Sequence, residues 1–270
     1  MHFICPKCKE KLNICESGVR CEAGHCFDRA RFGYYNLLLG TGGGVHGDNR
    51  EMILARRAFL ACGYYEPLAQ RLAALVLEYT APGGAVLDAG AGEGYYTDII
   101  ERAISARDNE SDVSAFDISK DAVREICRKN PRIFSVVAGS YHMPVPDGEF
   151  DTVINTFSPL ALSETVRALK PGGIFIMAIP GENHLFDLKN VIYDTPYKNT
   201  VADTALDGLE LLSDEPLTYT VHLNSPEAVR NLFMMTPYAY RTSAVGRARA
   251  LALDTLDCTA DFRIFVYRRI

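Results

Sequence analysis

The chain has no run of 18 or more apolar residues, which excludes a membrane-spanning helix. Its start, Met1-His2-Phe3-Ile4-Cys5-Pro6-Lys7-Cys8, lacks the basic n-region and apolar h-region of a secretory signal. A cytoplasmic protein with no membrane partner is therefore the expectation. It also lacks a positive surplus: 28 Lys and Arg against 34 Asp and Glu leave a net charge of −6 at pH 7. A chain of that charge is not sticky for nucleic acid over its whole surface. Internal repeats are absent, and so is low-complexity sequence outside one glycine stretch, so repeat architectures are excluded. What remains is an ordinary globular composition, 270 residues with 48% apolar and 23% charged. That is enough for one large α/β domain plus a small appendage.

The acidity is uneven. Residues 1–57 hold nine Lys or Arg and six acids, +3, which leaves −9 for the remainder. A surplus of that size permits local RNA contact without demanding it, and a mixed solvated surface accounts for it equally well.

The cysteines are uneven too. Five of the eight, Cys5, Cys8, Cys15, Cys21 and Cys26, fall in the first 26 residues. In a reducing compartment such crowding reads as metal binding rather than disulfides. Cys62, Cys127 and Cys258 are scattered and read as buried apolar fillers. A Cys5-x2-Cys8 pair is followed after twelve residues by Cys21-x3-His25. Two such turns close a tetrahedral Cys3His zinc site with no open position, which makes it structural. Cys26 beside His25, and Cys15 between the pairs, are the alternatives for the fourth ligand. The ion supplies folding energy to a module too small for a core of its own.

Residues 40–48, Gly-Thr-Gly-Gly-Gly-Val-His-Gly-Asp, read as a flexible linker. Beyond them helical and strand patterns alternate. Helices are expected at 50–61, 65–79, 95–106, 119–129 with Ser119 as N-cap, and 163–169, the last stopped by Pro171-Gly172-Gly173. Strands are expected at 85–89, 113–117, 133–138, 150–155 and 174–179. Ser225-Pro226-Glu227 opens a further helix, and β-rich segments near 252–259 and 261–268 close the sheet. Such alternation builds a parallel sheet covered by helices.

The central motif is Val86-Leu87-Asp88-Ala89-Gly90-Ala91-Gly92-Glu93-Gly94, a strand running into a glycine turn and then a helix. Its G-x-G-x-G spacing differs from the G-x-G-x-x-G that seats a dinucleotide pyrophosphate. Asp88 at the strand end can pair with a ligand ammonium and would repel a phosphate. Asp117, at the end of the next strand, can accept hydrogen bonds from both hydroxyls of a ribose.

These features resemble the class I S-adenosylmethionine (SAM) methyltransferases. Ala138–Pro144 resembles the segment along the adenine, Phe150–Asn155 the fourth strand, and Leu169–Gly173 the turn before the fifth. The resemblance implies an α/β, Rossmann-like, seven-stranded sheet behind a small N-terminal zinc-binding module. The chain as a whole resembles the bacterial 23S ribosomal RNA guanine-N1 methyltransferases, which include a tylosin-resistance branch. Cys5–Cys8, Phe27-Asp28, Gly33-Tyr34, Asn36–Leu38, Ala55–Leu60, Gly92–Tyr96, Asp117–Lys120, His184-Leu185 and Met235–Pro237 carry that likeness. It implies methyl transfer from SAM to N1 of a guanine in a domain II hairpin loop of 23S rRNA, with macrolide resistance in some relatives.

The same likeness favours His25 beside Cys5, Cys8 and Cys21 as zinc ligands, and it implies cofactor contacts at Tyr65, Gly92, Glu93 and His184. With the glycine-turn reading the cofactor set becomes Tyr65, Asp88, Gly90, Gly92, Glu93, Gly94, Asp117 and His184. It divides the chain into a zinc-binding RNA-recognition module at 1–39, linker and helices at 40–80, and a methyltransferase domain at 81–270, and it allows a homodimer. Phe157-Ser158-Pro159 and Gly181–His184 resemble the Gram-positive branch. Without the likeness, Tyr65 reads as a helix-surface aromatic, His184 as the first residue of a helix, and Arg56-Arg57 as a solvated helix face. Asn155 and Phe157 sit where base methyltransferases hold a target base; no general base is identified. A small-molecule methyltransferase would not need the zinc module, and a non-catalytic scaffold would not need an intact glycine motif.

Overall fold

The computed structural model describes residues 1–39, 48–108, 110–201 and 204–270. Of the expected 40–48 linker only Asp48 lies within them. The chain opens with β1 (Asn13–Cys15), β2 (Gly18–Arg20) and β3 (Cys26–Asp28), a small antiparallel sheet, followed by β4 (Tyr35–Asn36). Two helices, α1 (Arg50–Ala61) and α2 (Glu66–Tyr79), lead into the alternating region. There β5 (Ala85–Ala89), α3 (Tyr95–Arg107), β6 (Asp112–Asp117), α4 (Lys120–Lys129) and β7 (Phe134–Val137) follow one another. A short 3-10 turn precedes β8 (Phe150–Thr156), α5 (Leu162–Ala168), β9 (Leu169–Pro180) and α6 (Phe186–Ile192). The chain ends with β10 (Leu209–Leu223), α7 (Pro226–Met235), α8 (Tyr238–Arg241), α9 (Ala244–Leu251) and β11 (Leu256–Arg269).

Local chemistry sets the helix starts. Asn49, Ser119 and Ser225 each accept a backbone N–H of the first turn, from Met52, Ala122 and Ala228 respectively. β5 is buried along its whole length, as a strand covered on both faces must be.

The strands form one sheet in the order β10-β11-β9-β8-β5-β6-β7-β4. From β9 to β4 neighbours are parallel; β11 runs antiparallel to β9, and β10 antiparallel to β11. From β5 the chain moves to β6 and β7 on one side and then to β8 and β9 on the other. Ligands bind at such a switch point, beyond the carboxyl ends of the strands.

Four expectations are corrected. The sheet has eight strands among the described residues, because β4 of the N-terminal segment adds to the seven from 85–269. The segments near 252–259 and 261–268 are one strand, and its partner β10 lies in a stretch that gave no strand signal. The expected helix at 163–169 ends at Ala168, and Pro171-Gly172-Gly173 falls inside β9. Of the three scattered cysteines only Cys258 is buried; Cys62 is exposed and Cys127 half-buried.

The sheet buries two faces. One packs under α1, α2, α3 and α7, around Phe59, Leu72, Ile100, Phe233 and Ile264. The other gathers Leu87, Phe116, Phe175 and Phe265, and with them Phe3, Leu12, Val19, Tyr35 and Leu37 from the N-terminus. Phe3 and Tyr35 stack on Phe134, with ring centroids 5.7 and 5.6 Å apart. Ile4 N–H donates to Pro144 O at 2.8 Å, and Leu37 N–H to Val137 O at 2.9 Å. The module thus completes its core on the sheet domain, each buried large apolar side chain contributing about 1.5–3 kcal/mol.

Candidate functional site

Two knuckles assemble the first site. In one, Lys9 N–H donates to Cys5 O, and Lys9 takes the left-handed φ of 66° that the tight turn needs. In the other, Gly24 N–H donates to Cys21 O and Cys21 N–H to His25 O. Glu10 ties them together by accepting Ala23 N–H at 2.9 Å. Cys5 Sγ and Cys21 Sγ lie 3.5 and 3.4 Å from His25 Nδ1, and Cys8 Sγ lies 3.6 Å from Cys21 Sγ. All four ligand atoms fall within 4.8 Å of one another. Those three edges lie close to the roughly 3.5–3.8 Å of a tetrahedron built with zinc's bond lengths to sulfur and nitrogen. Burial opposes ionisation of Cys5, yet hydrogen bonds from the backbone N–H groups of Cys8 and Lys7 and from the Cys8 and Cys21 thiols together lower its pKa. The donors therefore suit zinc, with Nδ1 as the imidazole's ligand atom. Cys15 and Cys26 lie outside the group.

The second site lies at the carboxyl ends of β5, β6, β8 and β9. Gly90 and Gly94 have φ of 85° and 75°. A Cβ on Gly90 would meet Ser158 Oγ at 2.0 Å, and one on Gly94 would meet Ile126 Cγ1 at 2.8 Å; only glycine fits. Asp88 Oδ2 accepts Thr97 Oγ1–H at 2.6 Å, and its Oδ1 has no partner. Burial pushes the Asp88 carboxyl up to about 7, against the Thr97 hydrogen bond. Both Glu93 oxygens are buried without a hydrogen bond, and burial raises this carboxyl as well, with the Arg56 charge opposing. Asp117 accepts Gly92 N–H at 3.0 Å on one oxygen and Ser119 N–H at 2.8 Å on the other. Burial raises it too, although both backbone hydrogen bonds favour its ionised form. Three desolvated carboxyls around one glycine turn suit a cationic, hydroxyl-bearing ligand. SAM, with its ammonium, sulfonium and ribose, is such a ligand.

Tyr65 and His184 form a second buried group, linked through Phe157 to Tyr96 at the start of α3. Tyr65 precedes α2 and is buried, not a surface aromatic. Its ring meets Phe59 and Phe262 edge-on at 5.1 and 5.0 Å. His184 precedes α6 by two residues and is buried too. Asp261 N–H donates to His184 Nδ1 at 3.2 Å, so the neutral ring carries its proton on Nε2, 3.3 Å from Tyr65 Oη. Burial brings His184 down to about 3. The Asp261 carboxylate fastens this loop by accepting Asn183 N–H and Thr218 Oγ1–H, both at 2.8 Å.

Next to them Phe157, immediately after β8, has φ of 56°, and Leu185 has φ of 55°. Such backbone is costly for bulky residues and concentrates at functional sites. The Phe157 ring is 39% exposed and lies 21° from parallel to His184, with centroids 6.4 Å apart.

Two comparisons with known proteins agree. Residues 3–39 match the zinc-ribbon family described as RlmA, N-terminal, and residues 86–173 match a methyltransferase domain. The 23S rRNA (guanine(748)-N(1))-methyltransferase of Streptomyces fradiae is 31% identical, covering 93% of this chain and 90% of the relative. Two relatives from Micromonospora griseorubida and Bacillus subtilis, both bearing the name 23S rRNA (guanine-N(1)-)-methyltransferase, are 33% and 27% identical. They cover 100% and 98% of this chain, and 98% and 96% of their own. The chain belongs to the 23S rRNA (guanine-N1)-methyltransferase family.

It is thus a SAM-dependent methyltransferase with a zinc ribbon. The methyltransferase has no helix, among its described residues, long and apolar enough to cross a membrane. Several residues beyond the motifs shape its pocket. Arg56 joins the buried stripe of Met52, Phe59 and Leu60 on α1. It pairs with Asp48 and, at 3.7 Å, with Glu93. Arg57 shares that spacing, four residues after Ile53 and three before Leu60, so helical spacing signals burial for either arginine and does not tell them apart. Arg57 fits the solvated-face reading better, being half-exposed and bonded to Glu125 at 2.7 Å. Thr97 and Asp261 carry no such signal, because their roles arise only through contacts distant in sequence.

Proposed function

We propose that this cytoplasmic enzyme methylates N1 of a guanine in a domain II hairpin loop of 23S rRNA. The observation carrying this is the full-length likeness to relatives named for that activity. The guanine named for the Streptomyces fradiae relative, position 748, is the proposed target. We assign the zinc to Cys5, Cys8, Cys21 and His25 in an RNA-recognition module spanning 1–39. Residues 40–80 lead into a methyltransferase domain at 81–270. SAM is assigned to Tyr65, Asp88, Gly90, Gly92, Glu93, Gly94, Asp117 and His184.

The sulfonium methyl is already activated, so the enzyme's task is alignment for in-line attack and handling of the N1 proton. The base must leave its stack to reach the pocket. Phe157, exposed and held at a fixed backbone angle, stacks on it. Asn155 has its amide nitrogen aimed at Ala89 O and Pro159 O, at 3.4 and 3.5 Å, while its Oδ1 is buried without a partner. An unpaired acceptor there suits the N1–H and N2–H2 donors of guanine.

The test is methyl transfer from labelled SAM to unmodified 23S RNA, with primer extension across domain II. A stop at the position-748 guanine supports the reading. No incorporation by an enzyme that still binds SAM would refute it. Phe157→Ala is expected to lower kcat/KM for RNA about tenfold with SAM affinity unchanged, the scale of one lost base stack.

A further inference from the structure

Beyond the end of β9 lies a groove of about 410 Å³ lined by Ile179, Pro180, Tyr197, Lys198, Asn199 and Thr200. It adjoins the proposed base pocket directly. Phe157 N–H donates to Ala178 O at 3.1 Å, and the next two residues of β9 form the groove's wall. We propose that this groove holds the nucleotide adjoining the target guanine. Its base stacks on Tyr197 and its phosphate meets Lys198. The inference rests on the RNA reading given above.

Tyr197 is 54% exposed, yet its setting is ordered. The setting is built by a buried cation. Lys189, on α6, is 1% exposed, and among the described residues its ammonium has no acid as a hydrogen-bonding partner. It donates instead to Tyr197 O at 3.0 Å and Asn199 Oδ1 at 2.6 Å. The same ammonium lies 4.3 Å from the Tyr197 ring centroid, and Tyr193 flanks that ring at 5.5 Å. Asn199 in turn donates to Gly181 O at 2.8 Å and His184 O at 3.3 Å. The Tyr197 loop is therefore fastened to the loop that carries His184. One side of the ring is fixed by a cation, and much of the ring remains open to solvent.

An exposed aromatic of fixed position is a stacking platform for any base. At the rim Lys198 pairs with Glu182 at 3.2 Å, with both side chains at least half exposed. Such a pair contributes little stability, so a phosphate can displace Glu182. A small-molecule acceptor would need neither platform nor rim cation. A splayed RNA loop, whose bases leave the stack one after another, uses both.

The test uses the full-length zinc-loaded enzyme and a transcript of the domain II hairpin. Tyr197→Ala is expected to raise KM for the hairpin about tenfold, with kcat and SAM affinity unchanged. Tyr197→Phe restores the wild-type KM. On a hairpin with an abasic ribose beside the target guanine, the wild-type enzyme loses the same factor and Tyr197→Ala loses nothing more. Lys198→Glu weakens hairpin binding and flattens its salt dependence by about one counterion. Unchanged KM in Tyr197→Ala, or equal losses by both enzymes on the abasic hairpin, overturns the groove. Methylation of the intact hairpin by the wild-type enzyme tests the RNA reading separately. If that fails, the functional reading falls before any variant is compared.

Discussion

The two ligand-holding regions are built on opposite plans. At the N-terminus four ligand atoms converge from two short turns, and the three small strands around them bury little of their own. Apart from the metal, the module is held by Phe3, Leu12, Val19 and Tyr35 against the sheet domain. At the carboxyl ends of the sheet the reverse holds. The scaffold is complete without a ligand, while Asp88 Oδ1 and both Glu93 oxygens are left without hydrogen bonds. One ligand completes a fold; the other completes an electrostatic environment. Removing the first should change structure, and altering the second should change affinity and pH response.

The largest expected effect is on zinc. Chelation, or Cys21→Ser, should reduce amide protection across residues 3–37 by a hundredfold or more. That is well under the roughly 10–16 kcal/mol structural zinc can contribute, because the apolar side chains docked on the sheet remain. SAM affinity should change less than threefold. Hydrogen exchange with calorimetry in parallel checks both. A fall in SAM affinity together with protection would show that the two regions are not independent.

Asp88 sharpens the other half. Asp88→Asn should weaken SAM binding about thirtyfold, the scale of a lost charge-assisted hydrogen bond. It should not lower the melting temperature of the cofactor-free protein, because it removes a buried carboxyl with one unpaired oxygen. The pH dependence follows from a folded pKa of about 7 against an ordinary 3.8. The folded state then binds more protons between those values. Stability from this group is fully present below pH 3.8 and is lost as pH rises towards 7. SAM binding runs the opposite way, since the ammonium needs the ionised carboxylate. Affinity should drop approaching tenfold from pH 7.5 to 6 in the wild-type protein, and stay flat in Asp88→Asn. A flat wild-type profile would mean that Asp88 is ionised throughout.

Legibility in the sequence followed the range of the interactions. β5, β6 and β8 each carry a short apolar stretch with a turn at each end, and Ser119 and Ser225 are caps acting within one helical turn; local pattern suffices for all of them. β10 gave no signal because it is an edge strand whose side chains alternate between half-buried and exposed, with Pro216 in its middle; proline is tolerated at an edge but argues against a strand when read alone. β4 is two residues long and exists because the zinc module docks on β7. The Cys5, Cys8, Cys21 and His25 cluster follows a spacing and was legible in the sequence. Arg56 was not, since its partner Glu93 is 37 residues away and only the folded α1 brings them together. Asp261 is more distant still, holding His184 from 77 residues downstream.

The smallest effect tests the pair of Tyr65 and His184. Asp261 N–H can only donate, so it fixes the His184 proton on Nε2, facing Tyr65 Oη. The Tyr65 hydroxyl hydrogen is then directed away from His184. Tyr65→Phe should therefore weaken SAM binding about fivefold, one neutral hydrogen bond. Burial holds His184 near 3, against an ordinary 6.5. Between those values the unfolded chain binds the extra proton, so stability from this group is present above pH 6.5 and is lost as pH falls towards 3. The imidazole stays neutral from pH 5 to 8, and the fivefold factor should not vary across that range. An NMR titration showing His184 protonating near pH 6, or a Tyr65→Phe effect that grows as pH falls, would overturn the tautomer. The pocket would then carry a switchable cation.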